Sequence, residues 1–448
     1  RALWLRHFYE LDYPEAPEEP ADVIERLDEI MLRSVGMRLR PDQPVGAYLS
    51  GGLDSSITAS LARSASSHPL HSFSVTYATP EFDESLFQSR VARALGSLHT
   101  ASAIRRETIA QSFPQVLWHA ETPLLRTAPA LMFHLAKLTK ESGLKVVVAG
   151  DGADEIFLGS EIFRETSVRR FCLRSPGSLG RQRLFTRISR DAPPGLTTLQ
   201  DSWRSLLDAA QPSDPLFSHI PRFRSSRIDD FYTPEFKAGL GGIDVIQELR
   251  ASLPTRFFAW APLNQAAYLE MTTRLSPYLL SSQGDRMNMA HGVEARYPFL
   301  DHKLFEFAAA LPTGSRLRGL HGKQVLRRWA SHILPRQIDS GRKPFYRAPD
   351  AQSFFLPTSP AWVGDHLTAE ALRRVGIFSP VAVAGLIRRC SAGLGRALGE
   401  NQAMVGVMST QLWHHRFIES ALFIAPLPAG GASVVLGDPE PIHSSATL

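Results

Sequence analysis

The chain has 448 residues, of which 44% are hydrophobic and 21% are charged, and its formal net charge is +5. This composition is typical of a soluble globular protein of two or three domains, and no apolar run approaches the ~20 residues of a membrane-spanning helix. Two cysteines, Cys172 and Cys390, are too few for a disulfide framework and indicate a reducing, cytoplasmic protein. The positive charge suits anionic partners but does not distinguish nucleic acid from ATP or carboxylates.

The first residue is Arg1 rather than methionine, so we expect a processed, trimmed or partial chain. Residues 1–20 are aromatic, then acidic and proline-rich, and are interpreted as a linker arriving from a preceding domain. Residues 21–38 carry apolar side chains at helical spacing and predict the first helix.

The next predicted elements are a strand, "VGAYL" (45–49), and a helix, joined by "SGGLDSS" (50–56). Gly51 and Gly52 allow the backbone to approach a ligand closely, and the helix N-terminus offers N–H groups and a positive dipole end. Asp54 adds an oxygen ligand suited to Mg²⁺. Further donors come from the hydroxyls of Ser50, Ser55 and Ser56. The pattern predicts a phosphate-binding loop; the alternative is an ordinary serine-capped turn.

Two more strands continue the alternation of strand and helix. "LHSFSVTY" (70–77) predicts a strand followed by the helix "DESLFQSRVARALG" (83–96). "LKVVVAG" (144–150) is an apolar run typical of a parallel strand that is buried on both faces. This order predicts an α/β fold, a doubly wound parallel sheet that binds its ligand at the carboxyl ends of the strands.

The strand at 144–150 runs directly into "DGADEIF", which carries three acids: Asp151, Asp154 and Glu155. In a doubly wound sheet this loop faces the same crevice as "SGGLDSS" (50–56), which we call the Ser/Gly loop. Acids from both loops can therefore hold Mg²⁺ against a polyphosphate. The alternative is an acid-rich helix N-terminus that the helix dipole stabilises.

Composition divides the chain into five predicted segments. They are the linker 1–20, the α/β core 21–160, an arginine-rich helical insertion 161–254, a helical substrate portion 255–423, and a flexible tail 424–448 rich in Pro, Gly and Ser.

The Ser/Gly loop lacks the Gly-Lys-Ser/Thr sequence of a Walker A loop. A loop that holds the pyrophosphate part of ATP leaves the α-phosphorus open, which suits adenylation of a carboxylate. Such a reaction needs cations near the pyrophosphate and the developing oxyanion. The candidates are Lys323 in "GLHGKQ" and Lys343 in "SGRKPF", each of which is otherwise a solvated charge.

With these residues assembled, the chain resembles the synthetase domain of glutamine-hydrolysing (class B) asparagine synthetases from residue 21 to about residue 420. "LSGGLDSS" is similar to the pyrophosphate loop of N-type ATP pyrophosphatases, which GMP synthetases, NAD synthetases and tRNA-modifying enzymes share. The narrower resemblance lies in "VVVAGDGADEIFLG", in "QGDRMNMAHGVEARYPFLDHKLFEFAAALP", and in "GKQVLRRWASHILP" with "RKPFYRAP".

The resemblance implies ATP and Mg²⁺ as cofactors and assigns roles by position. Lys343 resembles the lysine that stabilises the transition states of adenylation and amide formation, and Lys323 a second lysine near the leaving pyrophosphate. Asp151 falls where the family orients or deprotonates ammonia, and Asp54 and Asp154 resemble its Mg²⁺–pyrophosphate ligands. The implied ATP contacts are Leu49, Ser50, Gly51, Gly52, Leu53, Asp54, Ser55, Val75, Ala149 and Gly150.

Some features depart from the family pattern. Leu158 stands where glycine is usual, and Ser160 where tyrosine is usual. The family's N-terminal glutaminase domain is missing from this sequence, so we expect ammonia from a glutaminase domain or subunit, or from solution. Glu294 and Arg296 in "VEARYPFLD" are interpreted as a buried structural ion pair.

The resemblance implies an amide-forming ligase that adenylates a carboxylate, by default aspartate, and transfers ammonia to give asparagine, AMP and pyrophosphate. The expected partners are the carboxylate and ammonia, not nucleic acid or membrane, with a homodimer left open. One alternative is an amidotransferase or cyclase of specialised metabolism, of the β-lactam or lasso-peptide type. Others are a tRNA-modifying ATP pyrophosphatase, against which the lack of a Cys-x-x-Cys pair counts, and a non-catalytic homologue.

Overall fold

A computed structural model describes most of the chain. The described residues are 2–4, 8–15, 17–39, 43–77, 83–175, 177–178, 180–181, 184, 211–223, 228–335, 338, 350–392, 398–420 and 433–435. The strands in these ranges are β1 (Ala2–Trp4), β2 (Gly46–Tyr48), β3 (His71–Tyr77), β4 (Leu98–Ile104), β5 (Val146–Val148), β6 (Glu294–Arg296), β7 (Leu317–Arg318), β8 (His321–Gly322) and β9 (Ser433–Val435).

The main sheet has the strand order β4-β3-β2-β5-β6, and every neighbouring pair in it is parallel. β2 lies at the centre, paired with β3 on one side and with β5 on the other. The loops that follow β2 and β5 therefore leave the same edge of the sheet side by side. Two small pairings lie outside it: β1 is parallel to β9, and β7 is antiparallel to β8.

Helices cover both faces of this sheet. Because side chains alternate along a strand, Ala47 and Val148 pack on one face against Ala59 of the helix Leu53–Ala65. Tyr48 and Val147 point to the other face, where they belong to a hydrophobic cluster that includes buried Leu135 of the helix Ala128–Glu141. The doubly wound parallel α/β sheet expected from the sequence is thus confirmed.

The helices account for most of the remaining described residues. The α-helices are Val23–Arg38, Leu53–Ala65, Ser85–Leu95, Arg106–Ala120, Ala128–Glu141, Ala153–Ile156, Glu161–Leu173, Ile220–Phe223, Pro234–Gly239, Val245–Ala251, Pro262–Glu270, Arg286–Met289, His302–Ala309, Thr313–Arg316, Gln324–Ile333, Ala361–Leu367, Ala369–Val375, Pro380–Ser391 and Leu398–His414. Short 3₁₀ helices are Ile228–Phe231, Thr255–Ala259, Pro298–Leu300 and Ala351–Ser353, and π-helical stretches are Met271–Asp285 and His415–Glu419.

Two strands of the main sheet, β4 and β6, were not predicted from the sequence. β4 is an edge strand whose side chains are mostly exposed, so it lacks an apolar run. β6 is three residues long and comes from the 255–423 segment, so the sheet extends beyond the predicted core 21–160. The segment boundaries themselves remain a prediction.

The arginine-rich insertion contributes to the interior. Arg169 is 1% exposed, and its guanidinium lies 4.3 Å from the ring centroid of Phe217, in cation–π contact. Part of the basic character of this segment is therefore buried rather than a solvated face. Residues 185–210 lie outside the described ranges.

The pair formed by Glu294 and Arg296 is not buried as predicted. Arg296 Nε donates to Glu294 Oε1 at 2.8 Å, but the Glu294 side chain is 60% exposed because β6 is the edge strand of the sheet. Arg296 also donates to the carbonyl oxygen of Arg38 at 2.6 Å, which ties β6 to the first helix.

Cys172 and Cys390 are both buried and unpaired. Within the described ranges, no helix combines the length and the apolar character needed to cross a membrane.

Two glycines with positive φ allow a matched test of the loop after β5. Gly152 has φ +93°, and a Cβ there would lie 2.3 Å from Leu300 Cδ2, whereas Gly143 has φ +81° with open space around it. We predict that Gly143→Ala costs about 1 kcal/mol of folding free energy, from backbone strain alone. Gly152→Ala adds overpacking and costs about 3 kcal/mol. Urea unfolding of both variants measures this; equal losses would contradict the close approach to Leu300.

Candidate active site

The Ser/Gly loop after β2 is held in shape by its own side chains. The Ser50 and Ser55 hydroxyls lie 3.0 Å apart, and the Ser50 N–H donates to Ser55 Oγ at 3.2 Å. Gly51 has φ +75°, and a Cβ at this position would lie 2.7 Å from the backbone of Phe87. Glycine is therefore required at this position by conformation and by space. Ser74 donates its hydroxyl to the carbonyl of Leu49 and fixes the start of the loop.

The helix Leu53–Ala65 begins without a capping side chain. Its N-cap is Gly52, whose backbone is extended and which supplies no oxygen to the first turn. Leu53, Asp54 and Ser55 form that turn, and N–H groups at this position have no partner within a helix. Such N–H groups and the positive end of a helix dipole commonly bind phosphate, so phosphate binding at this helix start stays a prediction.

The loop after β5 lies directly against this helix start. A Cβ on Gly150 would lie 2.8 Å from the Ser55 nitrogen and 2.9 Å from the Asp54 carbonyl carbon. Only glycine permits this approach. The contact confirms that the two loops share one crevice, and it places Asp54 beside the acids of the second loop.

Lys323 joins the acids of the two loops. Its Nζ lies 2.6 Å from Asp54 Oδ2 and 2.8 Å from Asp154 Oδ1, and the lysine side chain is 9% exposed. Burial disfavours the ammonium, but the carboxylates of Asp154 and Asp54 outweigh it and raise the pKa of Lys323 above its ordinary value. The lysine therefore stays charged and bridges the two loops.

Two glycines make room for Lys323. A Cβ on Gly159 would lie 2.0 Å from Lys323 Cε and 2.3 Å from Asp154 Oδ1. A Cβ on Gly322 would lie 2.3 Å from the Leu158 carbonyl oxygen. Neither glycine could be predicted to matter from the sequence, because the role of each depends on a contact between two segments that are about 160 residues apart in the chain.

Asp54 and Asp154 fit the ligand set of a magnesium ion. Within the described residues Asp54 Oδ1 is buried and has no hydrogen-bond partner, and the Asp154 side chain is 46% exposed. Carboxylate oxygens are the ligands Mg²⁺ prefers, completed in such sites by water and phosphate oxygens. Across the described ranges, no three His, Cys, Asp or Glu side chains are grouped to hold a metal.

Asp151 sits in an electronegative part of the crevice. Burial, with the charges of Asp54, Asp154 and Asp285, raises its pKa to about 6. Asp285 accepts a hydrogen bond from the Tyr297 hydroxyl at 3.0 Å. Asp285 and Tyr297 were not predicted as site residues. Both lie in the segment "QGDRMNMAHGVEARYPFLD", and no local spacing shows that this segment folds back toward the loop after β5.

Behind the acidic loop lies a buried network of charges. Glu155 is 2% exposed, and burial with the Asp154 charge raises its pKa to about 8. Glu270 accepts from Arg274 and lies 3.0 Å from His219 Nε2. His219 comes from the arginine-rich insertion, so that segment supports the floor of the crevice.

The remaining candidates fall into two groups. Val75 lies in β3, two residues before its end, and its carbonyl accepts from Gln88 Nε2 at 3.1 Å. Buried Ala149 donates its N–H to the Arg296 carbonyl at 2.9 Å. Their contact with ATP remains a prediction. Lys343 lies outside the described residues.

Both departures from the family pattern have structural consequences. Leu158 has φ +55° and is fully buried, so it holds the left-handed backbone that glycine adopts without strain. Lys323 has φ +59°, so two of the three non-glycine residues with positive φ in the described ranges line this site. The Ser160 hydroxyl is buried and finds no hydrogen-bond partner among the described residues.

The pKa of Glu155 generates a test of the apoprotein. Burial raises the pKa of the Glu155 carboxyl from its ordinary value of 4.5 to about 8, so across this range the unfolded chain loses the proton more readily than the folded protein, and wild-type stability falls as pH rises. We predict that the free energy of unfolding of Glu155→Gln, relative to that of the wild type, increases by about 3 kcal/mol as the pH is raised from about 5 to about 9. Urea midpoints against pH measure this, with exposed Glu141→Gln as control; parallel curves for Glu155→Gln and wild type would contradict it.

Comparison with known proteins agrees with this geometry. A family model described as "Asparagine synthase" matches residues 26–415. Asparagine synthetase [glutamine-hydrolyzing] 1 of Bacillus subtilis (strain 168) is 26% identical over 349 residues, which are 78% of this chain and 53% of that protein. A putative asparagine synthetase [glutamine-hydrolyzing] of Mycobacterium tuberculosis (strain ATCC 25618 / H37Rv) is 28% identical over 316 residues, 70% of this chain and 46% of that protein.

A relative with a different name is similar to the same extent. Amidase chyE of Penicillium rubens is 27% identical over 381 residues, covering 76% of this chain and 55% of that protein. The chain spans about half the length of the curated relatives it matches. Because the family model covers most of its residues, the chain belongs to the asparagine synthase family.

Proposed function

We propose that the chain is an ATP-dependent ligase that adenylates a carboxylate and passes the acyl group to ammonia, giving an amide, AMP and pyrophosphate. The observation that carries the proposal is the meeting of an uncapped helix N-terminus with Asp54, Asp154 and Lys323 at one edge of the sheet. This arrangement combines donors for phosphate oxygens with two carboxylates and a cation. Family membership supports the same chemistry.

Each part of the crevice has a task in this proposal. The N–H groups of the Ser/Gly loop and of the first helical turn hold the pyrophosphate part of ATP, leaving the α-phosphorus open to the carboxylate. Asp54 and Asp154 hold Mg²⁺, which neutralises phosphate charge when it is bound. Lys323 stabilises the charge that grows on the leaving pyrophosphate. Lys343, by its resemblance, stabilises the transition states at the acyl centre.

The proposal gives Asp151 a role in the second half-reaction. With a pKa of about 6, its carboxyl is ionised at neutral pH and accepts a proton more readily than an ordinary aspartate. The charge of nearby Asp285 favours a cation at this end of the crevice. We propose that Asp151 orients ammonia and takes up the proton released as the amide forms.

The proposed substrates are aspartate and ammonia. Relatives named as glutamine-hydrolyzing asparagine synthetases support aspartate as the carboxylate, with a glutaminase domain or subunit as the ammonia source. The proposed setting is the cytoplasm. A second candidate is the same chemistry on another carboxylate, which relatives named as amidases favour.

Pyrophosphate release tests the proposal. We predict that wild-type protein with Mg-ATP releases pyrophosphate only when aspartate and ammonium chloride are present, and that asparagine accumulates with it. Lys343→Ala and Asp154→Asn should each lower the rate about 100-fold or more, because each removes a charge that acts in the transition state. Surface Lys303→Ala should match the wild type.

The outcomes separate the candidates. Turnover with a different carboxylate but not with aspartate would keep the mechanism and replace the substrate. No pyrophosphate release with any carboxylate tried, from protein that binds Mg-ATP, would contradict the ligase assignment.

A further inference from the structure

We propose that Lys323 is the resident cation of the metal site, which excludes free Mg²⁺ and admits the metal only together with ATP. The inference rests on the proposed function, since it concerns the same two carboxylates. It makes Lys323 the residue that determines which cation the site accepts, and it fixes the order in which metal and nucleotide enter.

The position of the ammonium is the first support. Lys323 Nζ lies within 2.6 Å of Asp54 and 2.8 Å of Asp154, so it occupies the space between the two carboxylates that a shared divalent cation needs. Asp54 turns one oxygen toward Lys323, and its other oxygen, Oδ1, is buried without a hydrogen-bond partner among the residues that the structure describes. The carboxylate is therefore only half satisfied by the lysine and retains an oxygen for a second ligand.

The backbone holds the lysine in this position. The Lys323 N–H donates to the Phe157 carbonyl at 3.0 Å, which joins it to the acidic loop itself. Its φ of +59° is costly for a lysine. Gly159 leaves the room that the lysine side chain occupies, and Gly322 lets the backbone before Lys323 approach the Leu158 carbonyl. Such a conformation persists only where the surroundings fix it, so the ammonium is held in place rather than loosely exposed.

Competition between cations follows from this arrangement. Free Mg²⁺ gives up its water reluctantly and would have to displace an ammonium whose anionic partners, in the part of the chain that the structure describes, are Asp54 and Asp154. Mg-ATP brings the metal together with phosphate oxygens, to which Lys323 can turn as the metal takes the carboxylates. The exchange then leaves no buried charge unpaired, and the lysine arrives beside the pyrophosphate that it helps to release.

Calorimetric titration with magnesium chloride alone tests the inference without any turnover. The full chain is compared as wild type, Lys323→Met, and the control Lys303→Met, whose lysine forms a surface pair with Glu306 at 2.9 Å. We expect Lys323→Met to bind free Mg²⁺ about 10-fold more tightly than the wild type, because two adjacent carboxylates lose their cation. The control should bind like the wild type. Equal Mg²⁺ affinity in folded Lys323→Met and wild type would overturn the inference.

A measurement on the wild type keeps the inference testable if Lys323→Met does not fold. Mg²⁺ alone should leave the melting temperature unchanged, whereas Mg²⁺ with an ATP analogue bridged by methylene between the α and β phosphorus atoms should raise it. Equal stabilisation by Mg²⁺ alone would overturn the role of Lys323. Lack of binding by the analogue with Mg²⁺ would instead contradict the proposed function, so the two failures are distinguishable.

Discussion

The parallel pairing of β2 with β5 is the constraint on which the rest of the site depends. Gly46 and Ala47 lie in register with Val147 and Val148, so the chain leaves both strands at the same edge and at the same height. The Ser/Gly loop and the acidic loop must then pass each other, and Gly150 lets them meet within van der Waals distance. A side chain at that position would separate Asp54 from the second loop and remove the shared cation.

Charge is concentrated around this meeting point and is partly compensated within it. Asp54 and Asp154 share Lys323, while Asp151 faces Asp285, whose own partner is the Tyr297 hydroxyl. Deeper in the protein, Glu270 is paired with Arg274 and contacts His219. Buried charges are costly unless they are paired, so a set of acids with only partial compensation is typical of a site that awaits a cationic or metal-bound ligand.

Local sequence patterns were sufficient for the centre of the fold and for the meeting of the two loops. The apolar run at 144–150 and the paired glycines at 51 and 52 each carry their reason within a few residues, and the structure confirms the strand, the loop and their common crevice. β4 could not be predicted because an edge strand with exposed side chains lacks the apolar signal. Gly159, Gly322 and Asp285 matter only through residues far away in the chain, so no local pattern identifies them.

The roles of the side chains were harder to predict than their positions. Glu294 and Arg296 do form the expected pair, but the sequence does not show that their strand lies at the edge of the sheet, where the glutamate is exposed. From the sequence, Lys323 could equally be a solvated surface lysine. Its burial between two carboxylates depends on the position of the loop after β5. The ATP contacts, and Lys343 outside the described residues, remain predictions from the resemblance.

The central claim is that the crevice directs a carboxylate to the α-phosphorus of ATP, and isotope transfer tests it most directly. Aspartate labelled with ¹⁸O in its side-chain carboxylate is incubated with Mg-ATP, ammonium chloride and the protein, and the phosphate products are analysed by mass spectrometry. The account predicts one ¹⁸O atom in AMP for each amide formed, and none in inorganic phosphate. Label in inorganic phosphate with ADP as co-product would show attack at the γ-phosphorus, and would contradict the account.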